Sequence, residues 1–198
     1  IDSTKASKDF FDKYFKPWNA SKVSFPKIEA IWGHSYKSKK IYLENHKLAT
    51  KDWFDKQIIN SNFDDYNTLT KKAIMLKNTN IRVLPTNSPM FYDPTQPGEG
   101  FPFDYNQNSA IKINTPIIVS HLSKDRAWAY VESGNVGGWV EIGTIAFVDK
   151  KFIQEFKTSN YFISVKEKFP IYDPIFREYV KVATIFPKKG NKYLIAKK

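Results

Sequence analysis

The sequence contains three histidines and no cysteine, and these two residue types supply many of the nucleophiles, bases and metal ligands found in enzymes. The absence of cysteine excludes thiolate metal sites, disulfides and a cysteine nucleophile within these 198 residues. His34, His46 and His121 do not show the H-x-x-x-H or H-E-x-x-H spacing that places two imidazoles on one helix face. We therefore predict no metal site, no organic cofactor and no catalytic residues in this chain.

A second arrangement that could do chemistry is formed by His121 and Asp125, which are four positions apart. A Ser-His-Asp centre would need a serine brought to this pair from elsewhere in the fold. Ser123 and Asp125 are also typical of a turn in which short polar side chains bond to the backbone. We favour the turn, because no G-x-S-x-G motif is present to supply a nucleophilic serine.

The third candidate is a pair of carboxylates, Glu99 and Asp104, in a long connection from Pro85 to Ser109 that is rich in Pro, Gly and aromatic residues. A loop of this length in a small domain is usually functional. A carboxylate among aromatic side chains can receive the ammonium group of a peptide N-terminus. Alternatively, Asp104 accepts backbone amides of its own loop and Glu99 faces water. Both interpretations are consistent with the sequence.

The elements that must position this loop begin with helices. Five aromatic residues follow the spacing of one helix face: Phe10, Phe11, Tyr14, Phe15 and Trp18. A second helix is expected to start after Thr50, with Trp53, Phe54 and Ile58 facing inward and Ile59 as a further candidate for that face. Residues 19–49 show no clear period. We predict that residues 1–78 form a helical segment that packs on another part of the molecule.

The rest of the chain is predicted to be β-structure. Residues 79–149 contain short apolar runs bounded by Pro, Gly, Asn and Asp, which is typical of a small barrel with short hairpins. The runs predicted as strands are Ile81 to Leu84, Ile117 to Ser120, Ala127 to Val131 and Gly138 to Ile142. Residues 150–198 are predicted to form a linking helix over Lys150 to Lys157 and a second small barrel that is incomplete. The last strand begins just before Lys198, so we expect either a fragment or a tolerated edge strand.

The net charge of +11 and the pI near 9.5 favour anionic partners such as nucleic acid, phospholipid headgroups or anionic wall polymers. The lysines are scattered, and the aromatics alternate with apolar residues as in a core, so we predict no nucleic-acid partner. No apolar run reaches the length of about 18 residues that a membrane span needs. The chain begins with Ile1 instead of Met, which fits removal of a signal peptide or trimming.

Several motifs resemble one family. The region after residue 80 resembles the first bacterial SH3 domain, the SH3b1 type, of NlpC/P60 cell-wall peptidases. The motifs are Arg82-Val83-Leu84-Pro85-Thr86, the run from Pro97 to Ser109, and Gly138-Trp139-Val140. Tyr14-Phe15-Lys16-Pro17-Trp18 is similar to the N-terminal stabilising, or clip, segment of that family, and Thr184-Ile185-Phe186-Pro187 is similar to the start of its second SH3 domain. The resemblance thus implies tandem bacterial SH3-like barrels, the second incomplete, in a mainly β fold with an N-terminal helical segment.

The resemblance also implies a function. Members of this family are exported cysteine peptidases that cut the bond between γ-D-glutamate and the diamino acid of murein stem peptides. Their catalytic Cys and His lie in a C-terminal domain that these 198 residues lack. We therefore expect the substrate-recognition and scaffolding region of a peptidoglycan hydrolase in the periplasm or outside the cell, with the signal peptide removed. The alternative is a stand-alone, non-catalytic cell-wall-binding protein.

The expected partners are the peptidoglycan stem peptide and the missing NlpC/P60 catalytic domain. The resemblance implies that the long connection contacts the free N-terminal end of the stem peptide. The matching residues in the long connection are Glu99, Asp104, Tyr105 and Gln107, with Tyr130 and Trp139 as further candidates that could instead belong to the core.

Overall fold

The computed structural model describes residues 3–172 and 174–197, which form an N-terminal helical region, a central β-barrel and a C-terminal β region. The helices of the N-terminal region are α1 (Ser3–Tyr14), α2 (Lys16–Asn19), α3 (Lys27–Ala30) and α4 (Lys51–Asn60), with short 3-10 helices η1 (Trp32–Ser38) and η2 (Phe63–Asp65). The mainly β architecture with N-terminal helices confirms the predicted fold class.

Two of these helices were predicted from the sequence. The first helix is present, but it ends at Tyr14, and Pro17 lies in the first turn of α2, where its missing N–H is not needed. Phe15 and Trp18 are buried, whereas Phe10 is 47% exposed, so the five aromatics do not all face the core. Helix α4 begins after Thr50 as predicted, because the Thr50 side chain accepts a hydrogen bond from the Trp53 N–H at 3.1 Å.

The central barrel is a seven-stranded antiparallel sheet with the strand order β3-β2-β6-β5-β4-β1-β7. The strands are β1 (Lys71–Met75), β2 (Thr79–Arg82), β3 (Gln107–Ile111), β4 (Pro116–Leu122), β5 (Trp128–Glu132), β6 (Gly137–Glu141) and β7 (Ile145–Phe147). Only three residues join β1, near one end of this order, to β2, near the other end. All seven strands contribute to one buried cluster, as expected of a closed barrel.

Strand β1 precedes the predicted domain boundary at residue 79, yet it pairs with both β4 and β7. We therefore propose that the barrel begins at about residue 70, and that the helical segment ends before it. The residues between β2 and β3, numbers 83–106, form the long loop, and this name is used below.

Strands β5 and β6 are buried on both faces. Ala129, Val131 and Val140 point into the barrel core, while their neighbours Tyr130 and Trp139 point outward. The outward residues pack on Ala30, Phe63 and Tyr66 of the N-terminal region, which form a second cluster. Side chains alternate between the two faces of a strand, so the unbroken apolar run requires cover on both sides.

The C-terminal region contains helix α5 (Lys150–Phe156) and two small antiparallel sheets. Their strands are β8 (Tyr161–Ile163), β9 (Phe169–Tyr172), β10 (Phe176–Val180), β11 (Ile185–Lys189) and β12 (Lys192–Tyr193). Strands β10 and β11 are separate, because Ala183 between them adopts a left-handed conformation with φ 61°. The two sheets leave many apolar side chains exposed, in agreement with an incomplete second barrel.

Buried Asn114 joins the C-terminal region to the barrel. Its side-chain amide donates to the carbonyl oxygens of Ile185 and Leu194 at 2.9 and 3.1 Å, and its side-chain oxygen accepts from the Ala196 N–H at 2.8 Å. The Tyr14 hydroxyl donates to the Asn114 carbonyl at 2.8 Å, so the first helix reaches the same joint. The side chain and backbone carbonyl of Asn114 thus link three regions of the molecule.

Candidate functional site

The long loop is held by Asp104, one of the predicted site residues. One carboxylate oxygen accepts from the guanidinium of Arg82 at 2.7 Å, and the other accepts the backbone N–H groups of Met90 and Asn106 at 3.0 and 2.8 Å. Arg82 is almost fully buried and donates further to the carbonyl oxygens of Asn87 and Ser88 at 3.1 Å. Both oxygens of Asp104 are therefore engaged in fixing the fold of the loop.

Asn106 gives the loop a second anchor that the sequence did not reveal. Its side-chain oxygen accepts from the Leu84 N–H at 2.8 Å, and its amide donates to the carbonyl oxygens of Thr86 and Ser88 at 3.0 Å. The side chain is completely buried and ties the two ends of the loop together. An asparagine in a polar stretch carries no periodic signal, so only the fold identifies this role.

Glu99 has a different environment from Asp104. One of its oxygens accepts a hydrogen bond from the Tyr105 hydroxyl at 3.2 Å. The other oxygen is buried and has no hydrogen-bond partner among the described residues. The hydrogen bond to Glu99, followed by burial, raises the pKa of Tyr105, so the phenol stays protonated and continues to donate to this carboxylate at neutral pH.

A groove of about 570 Å³ runs beside the long loop, and we call it the loop groove. Its walls come from the N-terminal region, the loop and strand β3. They comprise Trp32, Tyr36, Pro102, Phe103, Asp104, Tyr105, Gln107, Asn108 and Ser109. The volume lies within the usual range for small-molecule sites, and a wall that combines aromatic side chains with a few polar groups is typical of such sites.

Three of the six predicted residues, Asp104, Tyr105 and Gln107, line the loop groove. Glu99 is connected to it through the Tyr105 hydroxyl. Sequence reasoning missed Trp32 and Tyr36, which form the opposite wall, because residues 19–49 show no regular period from which a surface could be inferred. Trp32 is 46% exposed, which the sequence alone does not show.

The other two predicted residues, Tyr130 and Trp139, lie outside the loop groove. Trp139 has no exposed surface and packs against Phe63 with ring centroids 5.9 Å apart, so in this structure it belongs to the interface between barrel and helices. Tyr130 is 4% exposed and reaches a separate hollow beside Trp32. Burial raises the pKa of Tyr130, which keeps its hydroxyl protonated.

The His121 and Asp125 pair does not form a catalytic relay. The two ring nitrogens of His121 lie 2.9 Å from the Ser120 hydroxyl and the Ser61 carbonyl oxygen. The Ser123 hydroxyl donates to Asp125 at 2.6 Å and closes the turn between β4 and β5, which is the interpretation favoured above. Among residues 3–172 and 174–197, no group of three or more His, Asp and Glu side chains converges on a position that could hold a metal ion.

Comparisons with known proteins match two parts of the chain to family models. Residues 2–66 match the NLPC_P60 stabilising domain, N term, and residues 89–141 match the SH3 domain of the SH3b1 type. The fold is similar to a solved structure of a novel NlpC/P60 endopeptidase from Photobacterium damselae subsp. piscicida, with a TM-score of 0.88 and 26% sequence identity. That match covers 98% of this chain and 48% of the other chain. No curated protein sequence gives a significant match.

Proposed function

Because the chain carries the N-terminal stabilising domain of NlpC/P60 proteins followed by an SH3 domain of the SH3b1 type, we propose that it recognises murein stem peptides for a peptidoglycan hydrolase. The hydrolase would cut the bond between γ-D-glutamate and the diamino acid. The sequence contains no cysteine, so a cysteine nucleophile would have to come from polypeptide outside these 198 residues. The role of this chain would be to bind and orient the substrate.

The free oxygen of Glu99 is the observation on which the proposal rests. A buried carboxylate oxygen without a donor is costly, because the water it has lost is not replaced. The terminal ammonium of a stem peptide would supply the missing donor and the opposite charge. Tyr105 lies at hydrogen-bonding distance from Glu99 and also lines the loop groove, so a peptide bound there would have its amino end close to this carboxylate.

The proposed scaffolding role is supported by the fact that the walls of the loop groove come from two different domains. Trp32 and Tyr36 come from the stabilising domain, whereas Phe103 and Tyr105 come from the long loop of the SH3 domain. Neither domain forms the loop groove alone. The stabilising domain would therefore hold one wall at a fixed distance from the other, which reduces the entropy lost when a ligand is ordered between them.

The cell envelope is the location that this substrate requires, and the catalytic domain of an NlpC/P60 protein is the protein partner we propose. Among residues 3–172 and 174–197, no helix has the length and apolar character needed to cross a bilayer.

The test is binding of a free stem tripeptide, L-Ala-γ-D-Glu-diaminopimelate, measured by titration calorimetry. We expect Glu99→Gln to weaken binding by about tenfold, because the ammonium group would then meet a neutral amide in place of a carboxylate. Glu44→Gln, a change at an exposed carboxylate of the stabilising domain, should leave the affinity unchanged. Acetylation of the tripeptide's amino group should weaken its binding to the wild type as much as the Glu99→Gln change weakens binding of the free tripeptide. Equal binding of both peptides to the wild type would contradict the proposed role of Glu99.

A further inference from the structure

A second hollow, of about 260 Å³, lies on the other side of Trp32 from the loop groove, and we call it the Phe25 hollow. Three aromatic side chains line it: Phe25, Trp32 and Tyr130. Glu29 is the only charged residue among its described walls, and the remaining wall residues are small, aliphatic or amide-bearing. Three aromatic side chains around one carboxylate form the kind of surface that holds organic cations in other proteins.

The floor of the Phe25 hollow is tightly built. A Cβ atom at Gly137 would lie 3.2 Å from the ring of Phe25 and 3.3 Å from the hydroxyl of Tyr130, so these two side chains meet over a residue that has no side chain. The Tyr66 hydroxyl donates to the carbonyl oxygen of Phe25 at 2.8 Å and fixes the backbone there. Asn108 donates to the Gly137 carbonyl at 3.0 Å from the rim. Phe25 and Tyr130 are therefore held in place before any ligand arrives.

Two polar groups of the Phe25 hollow have no partner in the described part of the chain. The Glu29 carboxylate forms no hydrogen bond or ion pair there, although the protein carries an excess of basic residues. Its charge is still felt locally: burial, together with the carboxylates of Glu132 and Glu29, raises the pKa of Tyr66 to about 12. The Tyr130 hydroxyl likewise makes no hydrogen bond to a described residue, so it is free to accept one from a ligand.

We propose that the Phe25 hollow binds an organic ammonium group, held by the faces of Phe25, Trp32 and Tyr130 and neutralised by Glu29. An anion would be repelled by the carboxylate and by the negative faces of the rings. A neutral apolar group would leave Glu29 without a partner. The volume of about 260 Å³ is below the range of about 300–1,000 Å³ that is typical of pockets for drug-sized ligands. It suits a smaller group, such as a choline headgroup or the end of an alkylamine.

The probe is choline chloride, titrated into the whole 198-residue chain while the indole N–H signal of Trp32 is followed by NMR. The control ligand is 3,3-dimethylbutan-1-ol, which has the shape of choline but carries carbon in place of the charged nitrogen. We expect choline to shift the Trp32 signal in a saturable way and the neutral isostere to bind at least about tenfold more weakly. Equal binding of choline and its neutral isostere would overturn the proposal.

Side-chain changes locate the site. Glu29→Gln and Trp32→Leu should each weaken choline binding by about tenfold, and both positions are exposed enough that the fold is retained. Backbone amide signals near Gly137 report binding when the Trp32 indole is absent. Glu44→Gln, on the same domain, and Glu99→Gln, on the long loop, should bind choline as the wild type does. A loss in Glu99→Gln equal to that in Glu29→Gln would place the cation in the loop groove and refute the Phe25 hollow as its site.

A parallel titration with n-butylammonium chloride identifies the source of the cation. Tighter binding of choline would indicate methylated ammonium headgroups, because their diffuse charge suits an aromatic cage. Tighter binding of n-butylammonium would indicate primary amines such as lysine side chains, since these can also donate hydrogen bonds to Glu29 and the Tyr130 hydroxyl. Both results support an ammonium site, and failure of both cations to bind would exclude it. The stem-peptide proposal does not depend on the result, since Glu99 and Tyr105 do not line the Phe25 hollow.

Discussion

At the scale of single residues, two carboxylates that are five positions apart have opposite roles. Asp104 accepts three hydrogen bonds from its own loop and from Arg82, so it has no free oxygen to offer a ligand. Glu99 accepts one hydrogen bond and keeps one free buried oxygen. The sequence allowed either residue to be the ligand-binding acid or the loop anchor. The positions of Arg82 and the backbone amides make Asp104 the anchor.

The different roles of Asp104 and Glu99 predict different effects on stability when each is replaced. Asp104→Ala removes the partner of a buried guanidinium and should lower the free energy of unfolding by about 3 kcal/mol, since an unpaired buried charge is costly. Urea titration followed by tryptophan fluorescence measures the change. Glu99→Ala and the exposed Glu44→Ala should each change the stability by less than about 1 kcal/mol. A stability loss in Glu99→Ala as large as that in Asp104→Ala would show that Glu99 is also a structural anchor.

At the scale of secondary structure, the strands that the sequence predicted well are those buried on both faces. The apolar runs that became β4, β5 and β6 are bounded by clear turn signals. Strands β1 and β3 were not predicted, because neither is a continuous apolar run. Strand β1 begins with Lys71 and Lys72, and β3 begins with the polar residues Gln107, Asn108 and Ser109. The groove wall around Trp32 was also missed, since α3 and η1 are too short to show a period.

The interface between the barrel and the N-terminal helices shows why the sequence could not identify every site residue. Tyr130 and Trp139 are aromatic, as residues of binding surfaces often are, and the resemblance to a family of peptidases made them candidates. The structure places both in one cluster with Phe63, where contacts between distant parts of the chain decide their burial. Such long-range contacts leave no trace in local spacing. Position within the barrel wall therefore separates core aromatics from binding aromatics.

His121 joins strand β4 to the C-terminal end of helix α4 and gives this interface a dependence on pH. Its two ring nitrogens contact Ser120 and the carbonyl of Ser61, and burial lowers its pKa; burial also lowers the pKa of His34. A histidine whose pKa is lower in the folded state binds its proton more readily when unfolded. We therefore expect the free energy of unfolding to be highest above about pH 7 and to fall as the pH drops from 7 to 5.

Urea titrations at pH 7.5 and pH 5.5 test this expectation, because the carboxylates with lowered pKa, Asp93 and Asp125, titrate below that window. His34 and His121 can each contribute at most about 1.4 kcal/mol per pH unit to the slope of the free energy of unfolding against pH. His121→Gln keeps a polar side chain that can bond to Ser61 and should reduce the slope. His46→Gln, at an exposed turn, is the matched control and should not. An unchanged slope in His121→Gln would mean that other groups cause the loss of stability in acid.

At the scale of the whole molecule, the stabilising domain contributes a wall to the loop groove and part of the Phe25 hollow while covering the outer face of the barrel. The charge is distributed unevenly over this arrangement. Residues 150–198 contain 12 Lys and Arg but 4 Asp and Glu, so they carry most of the net charge of +11. The central barrel has as many acidic as basic residues between 67 and 149. None of the described residues between 150 and 198 lines the loop groove or the Phe25 hollow, so a cationic ligand bound in either would not contact the most basic part of the chain.

A single buried carboxylate connects the stabilising domain to the barrel. Glu132 on β5 is 3% exposed and accepts hydrogen bonds from both the backbone N–H and the hydroxyl of Ser24, and Lys16 lies 3.4 Å away. Glu132→Gln keeps the size of the side chain but loses the charge and directs an N–H₂ group at the Ser24 donors. We expect this change to loosen residues 20–38, which contain Phe25, Glu29 and Trp32, while the barrel core stays folded.

Hydrogen exchange followed by mass spectrometry measures this effect region by region. Amides of residues 20–38 should exchange at least about tenfold faster in Glu132→Gln than in the wild type, and those of β4 to β6 should change little, because local opening does not require global unfolding. Glu141→Gln, at an exposed position one strand away, is the matched control. Binding of stem peptide and of choline should both weaken in Glu132→Gln, since both hollows lose the same wall. Unchanged exchange in residues 20–38 together with weaker binding would show that Glu132 acts on the ligands through its charge and not by holding the domain in place.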